Sequence, residues 1–212
     1  MTPMDNSDPS TGTLRKVLDI SALTIRILTL PLVLAAILAF SLYAYEPAAF
    51  GGSILEPILL TVFLAIIPIM GYPIQMVVPE WKKQGRPFQR KLAFIMSASG
   101  YTAGLVYCII SRTAGPARLI YYSYFISLLV LTAFNFGMHI RSSAHAAGIA
   151  GPLCILVICM NPWLCLVSIP VYGLSLWASV RLKRHTVREF ILGTVCGLSA
   201  VGAAHLLIRF WF

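Results

Sequence analysis

The chain has 212 residues, 58% hydrophobic and 11% charged, with a mean hydropathy of +0.84, and a water-soluble domain of this size cannot hide so much apolar surface. Its formal charge of +9 marks, in a membrane protein, cytoplasmic loops or sites for anionic headgroups, so nucleic acid is not implied. Cys108, Cys154, Cys159, Cys165 and Cys196 all fall in apolar runs without a CxxC pair, which reads as packing and argues against a disulfide framework or a zinc site.

Residues 1–14 are rich in Ser, Thr, Pro and Asp and read as disordered. Arg15 to Arg26 reads as a short interfacial helix, so residues 1–26 form a tail and 27–212 a single transmembrane helical domain. No basic leader or small-residue cleavage site marks a removed signal. Ile27 to Tyr45 is uncharged and long enough for a first span. Pro57 to Pro79 reads as the second, with kinks at Pro68 and Pro73.

A first polar island, Glu80 to Lys91, carries Lys82, Lys83, Arg86 and Arg90. Leu92 to Ser111 and Leu119 to Met138 are the third and fourth spans, followed by a second island, His139 to Gly148. Residues 146–180 carry no charge, and Asn161-Pro162 divides them into a hairpin of two short helices, the fifth and sixth spans. The third island is Arg181-Leu-Lys-Arg-His-Thr-Val-Arg-Glu189, and Phe190 to Ile208 is the seventh span, with Gly193 and Gly197 spaced for close helix packing. The fold expected is thus an all-α polytopic bundle of about seven spans, six being possible.

Counting passes places the N-terminus and all three islands on one side of the membrane. Of the 16 Lys and Arg, only Arg112, Arg118 and Arg209 fall on the other side, so the positive-inside rule puts the islands in the cytoplasm. Meeting there, the islands bring together Lys82, Lys83, Arg86, Arg90, Arg141 and Arg181, two histidines and a carboxylate. Arg181, His185 and Glu189 recur every four residues, one stripe of a helix on which the carboxylate holds one imidazole nitrogen and leaves the other free. Clustered cations suit a phosphate ester, whose oxygens Arg grips in forks. The short side chains of Ser142, Ser143 and Ala144 let backbone N–H groups approach such an oxygen, with His145 a turn or less away.

These islands resemble the three motifs of the type 2 phosphatidic acid phosphatase (PAP2) superfamily, Lys-x6-Arg-Pro, Pro-Ser-Gly-His and Ser-Arg-x5-His-x3-Asp. Arg86-Pro87 matches the end of the first, Ser142-Ser-Ala-His145 the second with Pro and Gly replaced, and His185-x3-Glu189 the third with Glu for Asp. The resemblance covers about residues 79–200 and is nearest to divergent prokaryotic members. It implies a PAP2/vanadium-haloperoxidase-like core in a prokaryotic plasma membrane, with no cofactor, no metal and a membrane lipid as substrate. His185 would be the nucleophile, forming a phosphohistidine, with Glu189 orienting it. His145 would protonate the leaving oxygen and then activate water. Arg86, Ser143 and the backbone at Ala144 would bind the phosphoryl oxygens.

Two family cations are absent. Pro79 stands where the family has Lys, with Lys82 or Lys83 the nearest substitutes, and Ser179 stands where it has Arg, with Arg181 one turn before His185. Either the pocket is rebuilt around neighbouring cations or activity has been lost. The functional expectation is a metal-independent lipid phosphatase acting on an isoprenoid phosphate or diphosphate, or on phosphatidate or phosphatidylglycerophosphate. The alternative is a catalytically silent relative that binds anionic lipid or supports a membrane complex.

Overall fold

A computed structural model describes residues 9–211. Its helices are α1 (Pro9–Leu28), α2 (Pro31–Tyr45), α3 (Leu55–Val77), α4 (Gly85–Ile110), α5 (Gly115–Gly137), α6 (Ala144–Cys159), α7 (Cys165–Arg181) and α8 (Val187–Trp211). No strand forms among the described residues.

The helix starts follow from local chemistry. Proline, which lacks the N–H that a first turn leaves unpaired, opens α2 and lies in the first turn of α5. The Ser143 hydroxyl caps α6 by accepting the Ala146 N–H at 3.2 Å. In α3 the ladder widens to a π turn over Val62–Ile66 just before Pro68, which is how the chain accommodates a ring that cannot donate and that crowds the preceding turn.

Several sequence boundaries shift. The helix expected over Arg15–Arg26 begins at Pro9, so the part of the disordered tail assigned to residues 9–14 is helical, while residues 1–8 lie outside the described residues. The run Ile27 to Tyr45, expected as the first span, is not one continuous helix. The helix breaks at Thr29-Leu30, and α2 leaves α1 at an angle of 49°, because Pro31 removes the donor that would continue the ladder. α4 and α8 begin seven and three residues before the predicted spans, at Gly85 and Val187.

Five helices are long and apolar enough to cross a membrane, and the bent pair of α1 and α2 makes a possible sixth. The expected count of about seven included α6, but Ser143 and Asn161-Pro162 confine it to 16 residues. Such a helix is about 24 Å long, short of the ~30 Å hydrocarbon core. Large apolar side chains stay exposed around the bundle, among them Ile110, Val77, Leu166 and Ile169, as a lipid-facing surface requires.

At the centre α8 lies against both α6 and α5, and α2 covers α6. α1 lies along α7 at the periphery, and α3 and α4 close the other flank against α5. The α6–α8 crossing is exceptionally tight. A Cβ on Gly193 would overlap the Ser143 carbonyl oxygen, and one on Gly197 would come within 2.7 Å of the Ala147 oxygen. Beneath the crossing, Phe190 is fully buried with Leu34, Ala146 and Ile149, its ring set edge-on to Tyr172 at 5.5 Å. A larger apolar cluster built on Leu38, Leu42, Ile120, Tyr121 and Ile155 fills the far half.

Gly193→Ala is expected to destabilise the protein by about 1–3 kcal/mol, the usual cost of overpacking. Gly173→Ala, on an open face of α7 with nothing near its Cβ position, should stay within about 0.5 kcal/mol of the wild type. Unfolding by SDS titration in mixed micelles measures both.

Candidate functional site

The three islands meet at one end of the bundle, around a cavity of about 1650 Å³. The third island is not a continuous helix. α7 ends at Arg181, Lys183 takes a left-handed φ of +51°, and α8 restarts at Val187. The stripe expected from the spacing of Arg181, His185 and Glu189 is therefore broken, and the two ends of it part. Arg181 turns away to Asp19 of α1, Nε to carboxylate 2.9 Å.

His185 and Glu189 stay together for a reason that is local. Thr186 and Glu189 form a capping box at the start of α8. The Glu189 N–H donates to the Thr186 hydroxyl at 3.2 Å, and the Thr186 N–H donates to Glu189 Oε2 at 3.2 Å. The same Oε2 lies 3.3 Å from His185 Nδ1, and Oε1 lies 3.4 Å from Arg141 Nε. Facing a carboxylate, Nδ1 is the protonated nitrogen of neutral His185, which leaves Nε2 with the basic lone pair. Burial lowers the His185 pKa below its ordinary 6.5; the Glu189 hydrogen bond opposes this, and the charges of Arg26 and Arg141 add to it. Burial thus favours the neutral ring.

His145, on the first turn of α6, is buried, and its Nε2 has no hydrogen-bond partner among the described residues. It lines the cavity with His185 and Glu189. The loop that delivers it is held by Asn135, which accepts the Ser142 N–H at 2.9 Å and donates to the Ser142 hydroxyl at 2.8 Å. The Ser143 N–H donates to the Glu189 carbonyl at 3.0 Å, a bond that ties the second island to the third.

Arg86 lines the cavity from the start of α4. That start is pinned by buried Gln75, whose amide donates to the carbonyls of Trp81 at 3.1 Å and Gly85 at 2.9 Å. Ala144 also lines the cavity. Ser143 is fully buried, with its N–H and its hydroxyl both engaged as described. Lys82, Lys83 and Arg181 are not among the lining residues.

Sequence reasoning missed Arg26, Asn135, Gln75 and Arg184. Thr186-x-x-Glu189 is a readable capping signature, but nothing local marks the others. Arg26 and Arg184 both line the cavity. Its walls carry six cations, Arg26, Arg86, Arg90, Lys91, Arg141 and Arg184, against one carboxylate, Glu189. Deeper in, the lining turns apolar, with Leu64, Leu128, Ile155 and Val201. Such a site takes an anionic group with an apolar tail. Among the described residues no group of three or more His, Cys, Asp or Glu is placed to hold a metal ion. Comparison of the chain with family models, with curated proteins and with solved structures found no match.

Since the unfolded chain protonates His185 near 6.5 and the folded one only at lower pH, stability should fall as pH drops through 6.5 and level off below the folded value. In NMR titrations of ring-labelled protein, His185 should titrate below 6.5. Glu189→Gln should lower that midpoint further, because it removes the group that favours the charged ring, and Arg26→Gln should raise it.

Proposed function

We propose that this protein is a membrane lipid phosphatase that works through a phosphohistidine. The observation that carries this reading is the pairing of two differently held histidines at one cationic cavity. His185 has Nδ1 on a fixed carboxylate, and His145 has an unpartnered Nε2. The first arrangement is that of an oriented nucleophile, the second that of a proton carrier.

In this mechanism the lipid's phosphoryl group enters among the arginines, which disperse its charge as the transition state develops. His185 Nε2 attacks phosphorus as the bond to the lipid oxygen breaks. His145, protonated beside the bound anion, gives its proton to that oxygen, and the lipid alcohol, or the lipid monophosphate when the substrate is a diphosphate, departs. His145 then takes a proton from water, whose oxygen attacks the phosphohistidine, and inorganic phosphate leaves with His185 restored. Glu189 stabilises the charge on the His185 ring throughout. Resemblance to the PAP2 superfamily supports the same roles, and the apolar inner wall suits an isoprenoid phosphate or diphosphate, or a glycerolipid phosphate.

A second reading, a silent relative that binds anionic lipid, draws on Ser179 and Pro79 at the positions of two family cations and on the absence of Lys82 and Lys83 from the cavity lining.

Detergent-purified protein is expected to release phosphate, in the presence of EDTA, from at least one of prenyl phosphate, prenyl diphosphate, phosphatidate and phosphatidylglycerophosphate. His185→Ala should abolish release, and His145→Ala should slow it by about 10²–10⁴-fold. Lipid binding without release from any of the four would establish the silent reading.

A further inference from the structure

We infer that Arg26, carried in by α1, is an anion-binding residue of the cavity, seated there by the Asp19–Arg181 ion pair. The inference rests on the anionic-ligand reading above but assigns a residue from outside the three islands.

Arg26 is half-buried and lines the cavity together with His145 and His185. Among the described residues its one hydrogen bond runs from Nη1 to the hydroxyl of Ser179, at 3.0 Å, across 153 positions of sequence. Ser179 is fully buried and neutral, and among the described residues no carboxylate lies within ion-pair distance of Arg26. A guanidinium offers five N–H donors in a rigid fork. Here one is used, and the charge is partly withdrawn from water without a counter-ion. That arrangement is costly unless an anion completes it. The neighbouring charge, Arg184, is also positive, and among the described residues no ion-paired carboxylate supplies the missing negative charge. Arg26 lines the same cavity as His145 and His185, where a phosphoryl group bridging the two rings would lie.

The placement follows from α1. Asp19 and Arg26 are seven residues apart, two helical turns, and so share a face. That face turns to α7, where Ala22 is fully buried, while Ile20, Leu23 and Ile27 stay exposed. Asp19 engages Arg181 at 2.9 Å, and Arg181 also donates to the Arg15 carbonyl at 3.4 Å. The ion pair at one turn therefore sets the register that delivers Arg26 two turns later. Ser179, too short to bind the anion itself, becomes the post that holds the fork.

The test uses the full-length protein in detergent micelles with inorganic orthophosphate as the probe. The Nε–Hε resonance of Arg26 in arginine-labelled wild-type protein, assigned by Arg26→Lys, should shift on titration with orthophosphate. Arg26→Gln should weaken orthophosphate binding by about tenfold or more, the scale of a charge-assisted hydrogen bond. Arg26→Lys should recover part of that loss, and Lys16→Gln on the exposed side of α1 should bind as wild type. Asp19→Arg alone should weaken binding, and its combination with Arg181→Asp should restore it.

An unmoved Arg26 resonance, orthophosphate affinity unchanged in Arg26→Gln, or equal losses in Arg26→Gln and Lys16→Gln would overturn the inference. Arg26-dependent binding in a protein that releases no lipid phosphate would uphold Arg26 and remove the phosphatase reading. Release and binding both unaffected by Arg26→Gln would do the reverse.

Discussion

The structure depends on how closely α6 and α8 cross. Between helices surrounded by lipid there is no gain from removing apolar surface from water, so association rests on van der Waals fit and on the bonds that close approach permits. Gly193 and Gly197 supply that approach, since each sits where a methyl group would strike the backbone of Ser143 or Ala147. The consequence is chemical as well as structural. Only at this separation does the Ser143 N–H reach the Glu189 carbonyl, and that bond sets His145 and His185 at the mouth of one cavity.

Glu189 carries several duties with one side chain. It closes the capping box at the start of α8, fixes the tautomer of His185 and receives Arg141. A carboxylate so engaged has little capacity to neutralise anything else. The cavity therefore keeps a surplus of positive charge, most of it on solvent-exposed side chains, with Arg26 alone of the six cations half-buried. An anionic group is the complement, and the apolar wall behind it suits a ligand that belongs partly to the bilayer.

Much of this was legible in the chain. The hairpin at Asn161-Pro162, the Gly193/Gly197 contact face and the presence of all three islands at one end can be read from apolar runs and their interruptions. The helical stripe through Arg181, His185 and Glu189 could not be trusted, because spacing alone does not reveal that Lys183 adopts a left-handed conformation and ends the helix between them. Ser143 looked like a ligand for phosphate, yet its polar atoms are consumed in capping α6 and joining α8. Asn135 and Gln75, which fix the loops before α6 and α4, are single amides inside apolar helices and carry no local signature.

By itself, then, the sequence determined the class of protein, the order of its helices and the pair of histidines with a carboxylate, because hydropathy, helix breakers and i,i+4 spacing act over a few residues. Only the tertiary structure decided which cations face the cavity. Arg181 was claimed by Asp19, Lys82 and Lys83 fell outside the lining, and Arg26 arrived from the far end of the chain. Such choices depend on where separate helices come to rest, and that is fixed by close packing between surfaces that local sequence does not connect.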